Sequence, residues 1–161
     1  MSSDASKSNH VEIRPAVHAD ISAIVSVERK CSGASHWSEE QYEKTLLSTE
    51  NRLLLVAVCD EPVPEILGFL MAHNIAPDWE LENIAVGPDS RNQGIGNQLL
   101  RGLLDNAKET NSQAVFLEVR ESNIAARQLY EKAGFHETGR RKSYYINPIE
   151  DAVLYAVRLP G

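Results

Sequence analysis

The stretch Asn83-Ile84-Ala85-Val86-Gly87-Pro88-Asp89-Ser90-Arg91-Asn92-Gln93-Gly94-Ile95-Gly96-Asn97-Gln98-Leu99-Leu100 joins an apolar strand to a glycine-containing turn and then to a helix. Val86 ends the apolar run, Pro88 bars further sheet pairing, and Gly94 and Gly96 let backbone N–H groups turn toward a ligand with no Cβ in the way. Leu99, Leu100, Leu103, Leu104 and Ala107 repeat at helical spacing. The turn therefore opens a helix whose free N–H groups and positive dipole end favour phosphate. A dinucleotide fingerprint would need a third glycine where Leu99 stands. A Walker loop would need Gly-Lys followed by Ser or Thr where Gly96-Asn97-Gln98 stands. Neither fits, and the bland alternative is a tight strand-to-helix turn.

Working toward the N-terminus, Pro77-Asp78 punctuates before a fourth strand through Leu81 to Val86. Ahead of it, Leu53 to Val58 and Ile66 to Ala72 are apolar runs separated by the turn-rich Asp60-Glu61-Pro62-Val63-Pro64, which reads as an antiparallel hairpin. Trp37-Ser38-Glu39-Glu40-Gln41 has the spacing of a capping box for a helix to about Ser48. Trp37 either staples that helix to the core or lines a substrate cleft. Val11 to Arg14 alternates as a first strand, Asp20 begins a helix that buries Ile21, Ile24, Val25 and Val27, and Gly33 ends it. Residues 1–9 are Ser-rich and polar and are expected to be a disordered leader, with one domain over residues 10–161.

Beyond the loop, the helix from Gly96 to about Lys108 leads to a fifth strand, Ala114 to Val119. The strand, helix, strand order implies a right-handed crossover with strands four and five parallel and adjacent. Ser122 or Asn123 caps a further helix carrying Ala126, Leu129, Tyr130 and Ala133 on one face, and Gly134 stops it. Strands six and seven fall near His136 to Arg140 and Ala152 to Val157. The sum is an α+β fold: a central, mixed, mostly antiparallel sheet of about seven strands with helices on both faces.

Composition narrows the function classes. With 42% hydrophobic and 24% charged residues among 161, the chain is an ordinary globular protein. Its net charge of −7 argues against nucleic-acid binding and suits a cationic substrate. No apolar run approaches the roughly 20 residues of a membrane span, and there is no signal-peptide pattern, so no membrane partner is expected and the cytoplasm is the default location. Cys31 and Cys59 form no Cys-x-x-Cys pair and read as reduced thiols. The five histidines lack ligand spacing, so no metal is expected.

The pattern Arg91-x-x-Gly94-x-Gly96 after Ile84-Ala85-Val86 resembles the acetyl-CoA pyrophosphate loop of the GNAT N-acetyltransferase superfamily. Glu118 to Phe135, with Asn123, Leu129, Tyr130 and Gly134, is similar to the motif that follows that loop. More narrowly, Trp37-Ser38, Asn83 to Val86, Leu117 to Arg120, Arg140 to Tyr145 and Glu150-Asp151-Ala152 resemble bacterial ribosomal-protein-alanine N-acetyltransferases, a family that acetylates the α-amino group of a small-subunit ribosomal protein. The resemblance implies a GNAT fold, acetyl-CoA as cosubstrate, and a protein N-terminal peptide as acceptor, with the enzyme a monomer or weak dimer. It implies Glu118 as general base and Tyr130 as general acid toward the leaving sulfur; the alternatives are a strand-edge Glu118 paired with an arginine and a Tyr130 that only fills the core. Ile84, Ala85 and Val86 would clamp the acetyl arm. Arg91, Asn92, Gln93, Gly94, Ile95, Gly96 and Asn97 would hold the pyrophosphate, and Asn123 the pantetheine. Asn92 departs from the family, in which a basic residue is common there.

Trp37, Glu80, Glu82, Tyr144, Tyr145 and Asp151 are candidates for the acceptor wall, and Glu80 is the second choice as base. Period-two geometry puts Glu80 and Glu82 on one face with Ile84 and Val86. An α-amine with pKa about 8 is deprotonated at pH 7 for about 1.4 kcal/mol, against about 4.6 kcal/mol for a lysine near 10.4. A terminal amine thus demands less of the base. The alternatives are a small-molecule amine acetyltransferase of the polyamine or aminoglycoside type, a Lys acetyltransferase, and a non-catalytic acyl-CoA-binding module.

Overall fold

A computed structural model describes residues 10–31, 37–48 and 51–160. The leader and the helix stop at Gly33 lie outside the described residues. Strands β1 (Val11–Pro15), β2 (Arg52–Cys59), β3 (Glu65–Ile75), β4 (Asp78–Val86), β5 (Ala114–Arg120), β6 (His136–Tyr145) and β7 (Glu150–Arg158) form one sheet in the order β1-β2-β3-β4-β5-β7-β6. Every neighbouring pair is antiparallel except β4 and β5.

The continuous apolar run of β2 is explained by burial on both sides. Leu55 and Ala57 pack with α3 (Ile95–Glu109) and α4 (Ile124–Lys132), while Leu54, Val56 and Val58 pack with α1 (Ile21–Arg29) and α2 (Glu39–Leu47). On α3, Leu99, Leu100, Leu103 and Ala107 are fully buried; each leucine contributes roughly 1.5–3 kcal/mol by leaving water. The capping box of α2 forms in both directions: Ser38 Oγ accepts from Gln41 N–H at 3.3 Å, and Gln41 Oε1 accepts from Ser38 N–H at 2.8 Å. Asp20 joins β1 to the start of α1. Its carboxylate accepts from both terminal nitrogens of Arg14, at 2.7 and 3.0 Å, and from Val17 N–H at 2.8 Å.

Strand β4 differs from its sequence reading in two ways. It starts at Asp78 rather than near Leu81, because Pro77 precedes the pairing instead of preventing it. It also carries a bulge: Met71 pairs with Asn83 and Ala72 with Leu81, leaving Glu82 as the extra residue. The bulge resets the alternation. Trp79, Leu81, Ile84 and Val86 all pack on the α3 side, whereas Asn83 and Ala85 face α1. Glu80 stands opposite His73 and Glu82 reaches that same histidine. The expected common face for Glu80, Glu82, Ile84 and Val86 is therefore wrong, since a strict period of two cannot cross an inserted residue.

Candidate active site

Parallel pairing of β4 with β5 is confined to Trp79 with Val115 and Glu80 with Phe116. The start of the pair is fastened by Asp78 Oδ1 accepting from Ala114 N–H at 3.1 Å, and by Trp79 Nε1 donating to Thr110 Oγ1 at 3.1 Å. Past the bulge the two strands part. The gap opens into a cavity of about 910 Å³ that runs from Glu118 on β5 to the turn at Arg91 to Gly96.

The turn runs into the N-terminus of α3. Gly94 takes φ +78°, which admits glycine without the Cβ penalty, and caps α3. Ser38 caps α2 and Asn123 Oδ1 caps α4 through Ala126 N–H at 3.2 Å, but α3 has no side-chain cap. Its first N–H groups are unclaimed by a side chain and belong to residues that line the cavity, an arrangement that favours an anion. Gly96 has a different role from the one its motif position implies. It lies inside α3, and a Cβ there would meet Leu129 Cδ2 at 3.1 Å, so its bareness lets α4 pack close. Asn92 takes φ 62°, a left-handed conformation that asparagine tolerates better than a basic residue would. Arg91 Nε donates to Val86 O at 3.3 Å, which ties the turn to the end of β4.

All the predicted cofactor residues line the cavity except Gln93, and Asn123 combines that place with its capping bond. Glu118 and Tyr130 both line it, from different sides of the sheet. Tyr130 belongs to the α3–α4 cluster with Val115, Leu117 and Val119, so Glu118, alternate to these, is on the α1 side. Glu118 Oε1 is 3.2 Å from Arg141 Nε. Tyr130 is buried as a residue and its pKa is raised, mainly by desolvation and secondarily by Tyr145.

The acceptor-wall candidates divide. Glu82 and Tyr145 line the cavity; Trp37, Glu80 and Tyr144 do not. Trp37 packs on Tyr42 with ring centroids 5.7 Å apart and lies beneath Arg52, which favours the staple reading. Glu82 binds Arg52 Nη1 at 2.8 Å. Glu80 sits beside the cavity, its carboxyl held above the ordinary range by burial first, then by the charges of Glu118 and Glu82. Tyr144 and Tyr145 pack edge to face at 5.1 Å, with Arg141 over the first ring and Arg120 over the second. Asp151 Oδ1 accepts from Ser143 N–H at 2.8 Å and is committed to the β6–β7 hairpin.

The sequence reading missed Cys31, whose thiol donates to Val86 O at 3.4 Å on the cavity wall, and Lys132 at the far end. Neither has a motif signal. Asn83 lay inside the opening stretch but had no role there. Both cysteines are free and buried. Among the described residues no group of three His, Cys, Asp or Glu side chains is placed to hold a metal, and no helix is long and apolar enough to cross a membrane.

The Acetyltransferase (GNAT) family model matches residues 21–135. The chain belongs to the GNAT acetyltransferase family. This acetyltransferase is 34% identical to the ribosomal protein bS18-alanine N-acetyltransferase of Escherichia coli over 140 residues, covering 86% of this chain and 90% of that one. It is 43% identical to the Haemophilus influenzae protein of the same name over 98 residues, 59% of this chain and 66% of that one. The crystal structure of the ribosomal-protein-S18-alanine N-acetyltransferase from Escherichia coli superposes with a TM-score of 0.81 at 29% identity, covering 94% of this acetyltransferase and 97% of the other chain. The seven-stranded mixed sheet with its single parallel pair is the GNAT fold.

Proposed function

We propose that this acetyltransferase moves the acetyl group of acetyl-CoA to the α-amino group of an Ala-terminated small-subunit ribosomal protein in the cytoplasm. The observation that carries the reading is the single cavity with an anion-binding helix start at one end and Glu118 at the other, Tyr130 on its wall. The names of the relatives give the acceptor its class.

The cosubstrate supplies an activated acetyl thioester; the chain does the rest. The α3 N–H groups, Gly94 and Arg91 hold the pyrophosphate. Arg101, Lys108 and Lys132, around an adjoining cavity of about 330 Å³, add positive charge in an otherwise acidic protein. Backbone groups of Ile84 to Val86, freed from β5 by the splay, orient the carbonyl. Glu118, directly or through water, accepts the proton that the amine loses as its nitrogen bonds to the acetyl carbon. As the carbon–sulfur bond breaks, the Tyr130 hydroxyl stabilises the sulfur. A thiol titrates near 8.5, well below a phenol, and the raised pKa of Tyr130 widens that difference. Hydrogen-bond donation at the sulfur therefore outweighs full proton transfer from Tyr130. Glu118 and Tyr130 lie across the open gap, so acceptor and thioester approach from opposite faces of the sheet.

The test is mass spectrometry of reactions with acetyl-CoA and a panel of Ala-terminated basic peptides, internal-lysine peptides and polyamines. Acetylation at the Ala α-amine is expected. Modification of lysine side chains or polyamines alone would reject the acceptor assignment, and no transfer to any amine would leave a binding module.

A further inference from the structure

Glu28 is a carboxylate buried to 1% exposure that the chemistry above does not use. It sits on α1, and no cation lies within ion-pair distance among the described residues. Its Oε1 accepts from the backbone N–H of Trp37 at 3.1 Å and from Asn83 Nδ2 at 3.4 Å. These two donors belong to separate parts of the molecule. Trp37 precedes the cap of α2. Asn83 is the first residue past the bulge of β4, lines the cavity, and leads directly into Ile84 to Val86. Oε2 and the hydroxyl of Tyr42 are both buried with no hydrogen-bond partner among the described residues.

A bulge leaves one residue outside the ladder and weakens local pairing, so its conformation needs fixing from outside the sheet. Two side-chain anchors do this. Both lie on the α1 side of the sheet: Glu82 reaches Arg52 on β2 and His73 on β3, and Asn83 reaches Glu28 on α1. Burying a carboxylate away from any cation is costly, which makes an isosteric amide the informative comparison: it keeps the accepting oxygen and drops the charge.

We infer that Glu28 is a positioning residue: by holding Asn83 and the entry of α2 it fixes the β4 bulge, and with it the splay that presents the thioester carbonyl to the amine. This inference rests on the proposed acetyl transfer for its kinetic arm only. The full chain and its variants Glu28→Ala, Glu28→Gln, Asn83→Asp and the double variant Glu28→Gln with Asn83→Asp are compared in three measurements. These are peptide kcat/KM, acetyl-CoA Kd by calorimetry, and amide hydrogen exchange along β4. Glu28→Ala should lower kcat/KM at least ten-fold and speed exchange of the Glu82 to Ala85 amides at least ten-fold, with Kd changed less than two-fold. Glu28→Gln should stay within three-fold of the parent. Asn83→Asp sets two carboxylates against each other and should mimic Glu28→Ala. The double variant, in which the glutamine amide donates to the new aspartate, should recover most of the loss.

Exchange that rises throughout the sheet, Kd that rises in step with the loss of turnover, or no rescue in the double variant would make Glu28 a general brace and overturn the inference. Unchanged exchange at Glu82 to Ala85 in Asn83→Asp would overturn it even if Glu28→Ala fails to fold. Should the parent acetylate no peptide, the proposed function falls while the exchange comparison still decides the role of Glu28.

Discussion

Glu118 and Tyr130 meet one cavity from two elements, and each is tested by deleting a single functional group. Glu118→Gln keeps shape and loses basicity, so kcat should fall by roughly 10²- to 10⁴-fold with acetyl-CoA Kd unchanged. Near-parental kcat would remove Glu118 as base and turn attention to Glu80, whose raised pKa suits a proton acceptor although it stands just beside the cavity. Tyr130→Phe removes only the hydroxyl from a residue otherwise buried among Phe135 and Tyr155. A loss of roughly ten- to a hundred-fold in kcat, about 1.4–2.8 kcal/mol of transition-state stabilisation, is expected, with unchanged melting temperature; equal kcat across pH would leave Tyr130 a core residue. Their place on one cavity was legible because both residues stand at recognisable spacing from the glycine turn. An arginine partner for Glu118 was among the sequence readings, but not that it is Arg141, because that depends on how the β6–β7 hairpin folds back.

Among the elements, α3 was legible in full and β4 only in outline. The leucines of α3 announce a 3.6-residue period that tertiary packing reinforces. In β4, no glycine or proline marks the bulge, and its one trace in the chain is the polar pair Glu82-Asn83, where the apolar positions change phase from Trp79 and Leu81 to Ile84 and Val86; a strict period of two passes over that shift. The motif glycines likewise look alike in sequence. Structure separates them into Gly94, required by its positive φ, and Gly96, required by Leu129. The link between β1 and α1 gives a stability test. Asp20 has its pKa lowered first by the hydrogen bond from Arg14 and also by Val17 N–H, against the opposing effect of burial. A depressed folded-state pKa adds stability above the unfolded value of about 3.9, lost as pH falls through the folded value. Asp20→Ala should therefore cost about 1.5–3 kcal/mol at pH 7 by urea denaturation. The gap between variant and parent should narrow as pH drops below about 4; a pH-independent gap would mean that Asp20 acts through packing instead.

At the scale of the molecule, the sheet divides labour between its two faces. The α3–α4 face carries the uncapped start of α3 and Tyr130, while Glu118, Glu80 and Glu82 look toward the α1 side, where Arg52, His73 and Arg141 balance only part of their charge. This separation follows from the splay: a gap through the sheet would give the proposed anionic cosubstrate and basic acceptor separate approaches. The net charge of −7 extends the preference beyond the contact residues, because an acidic surface raises the local concentration of a basic peptide before docking. Screening should weaken this effect, since the Debye length shrinks from about 10 Å at 0.1 M salt to about 3 Å at 1 M. The KM of a basic Ala-terminated peptide is accordingly expected to rise several-fold between low and high salt, while that of an Ala-terminated neutral peptide stays nearly constant. Binding of acetyl-CoA, an anion meeting cations and helix N–H groups, should weaken with salt as well, so calorimetric Kd must be measured alongside and its share divided out. If both peptides then respond equally, recognition of the acceptor lies in the short-range contacts at Glu82 and Tyr145, and the acidic field of the protein contributes nothing to the choice.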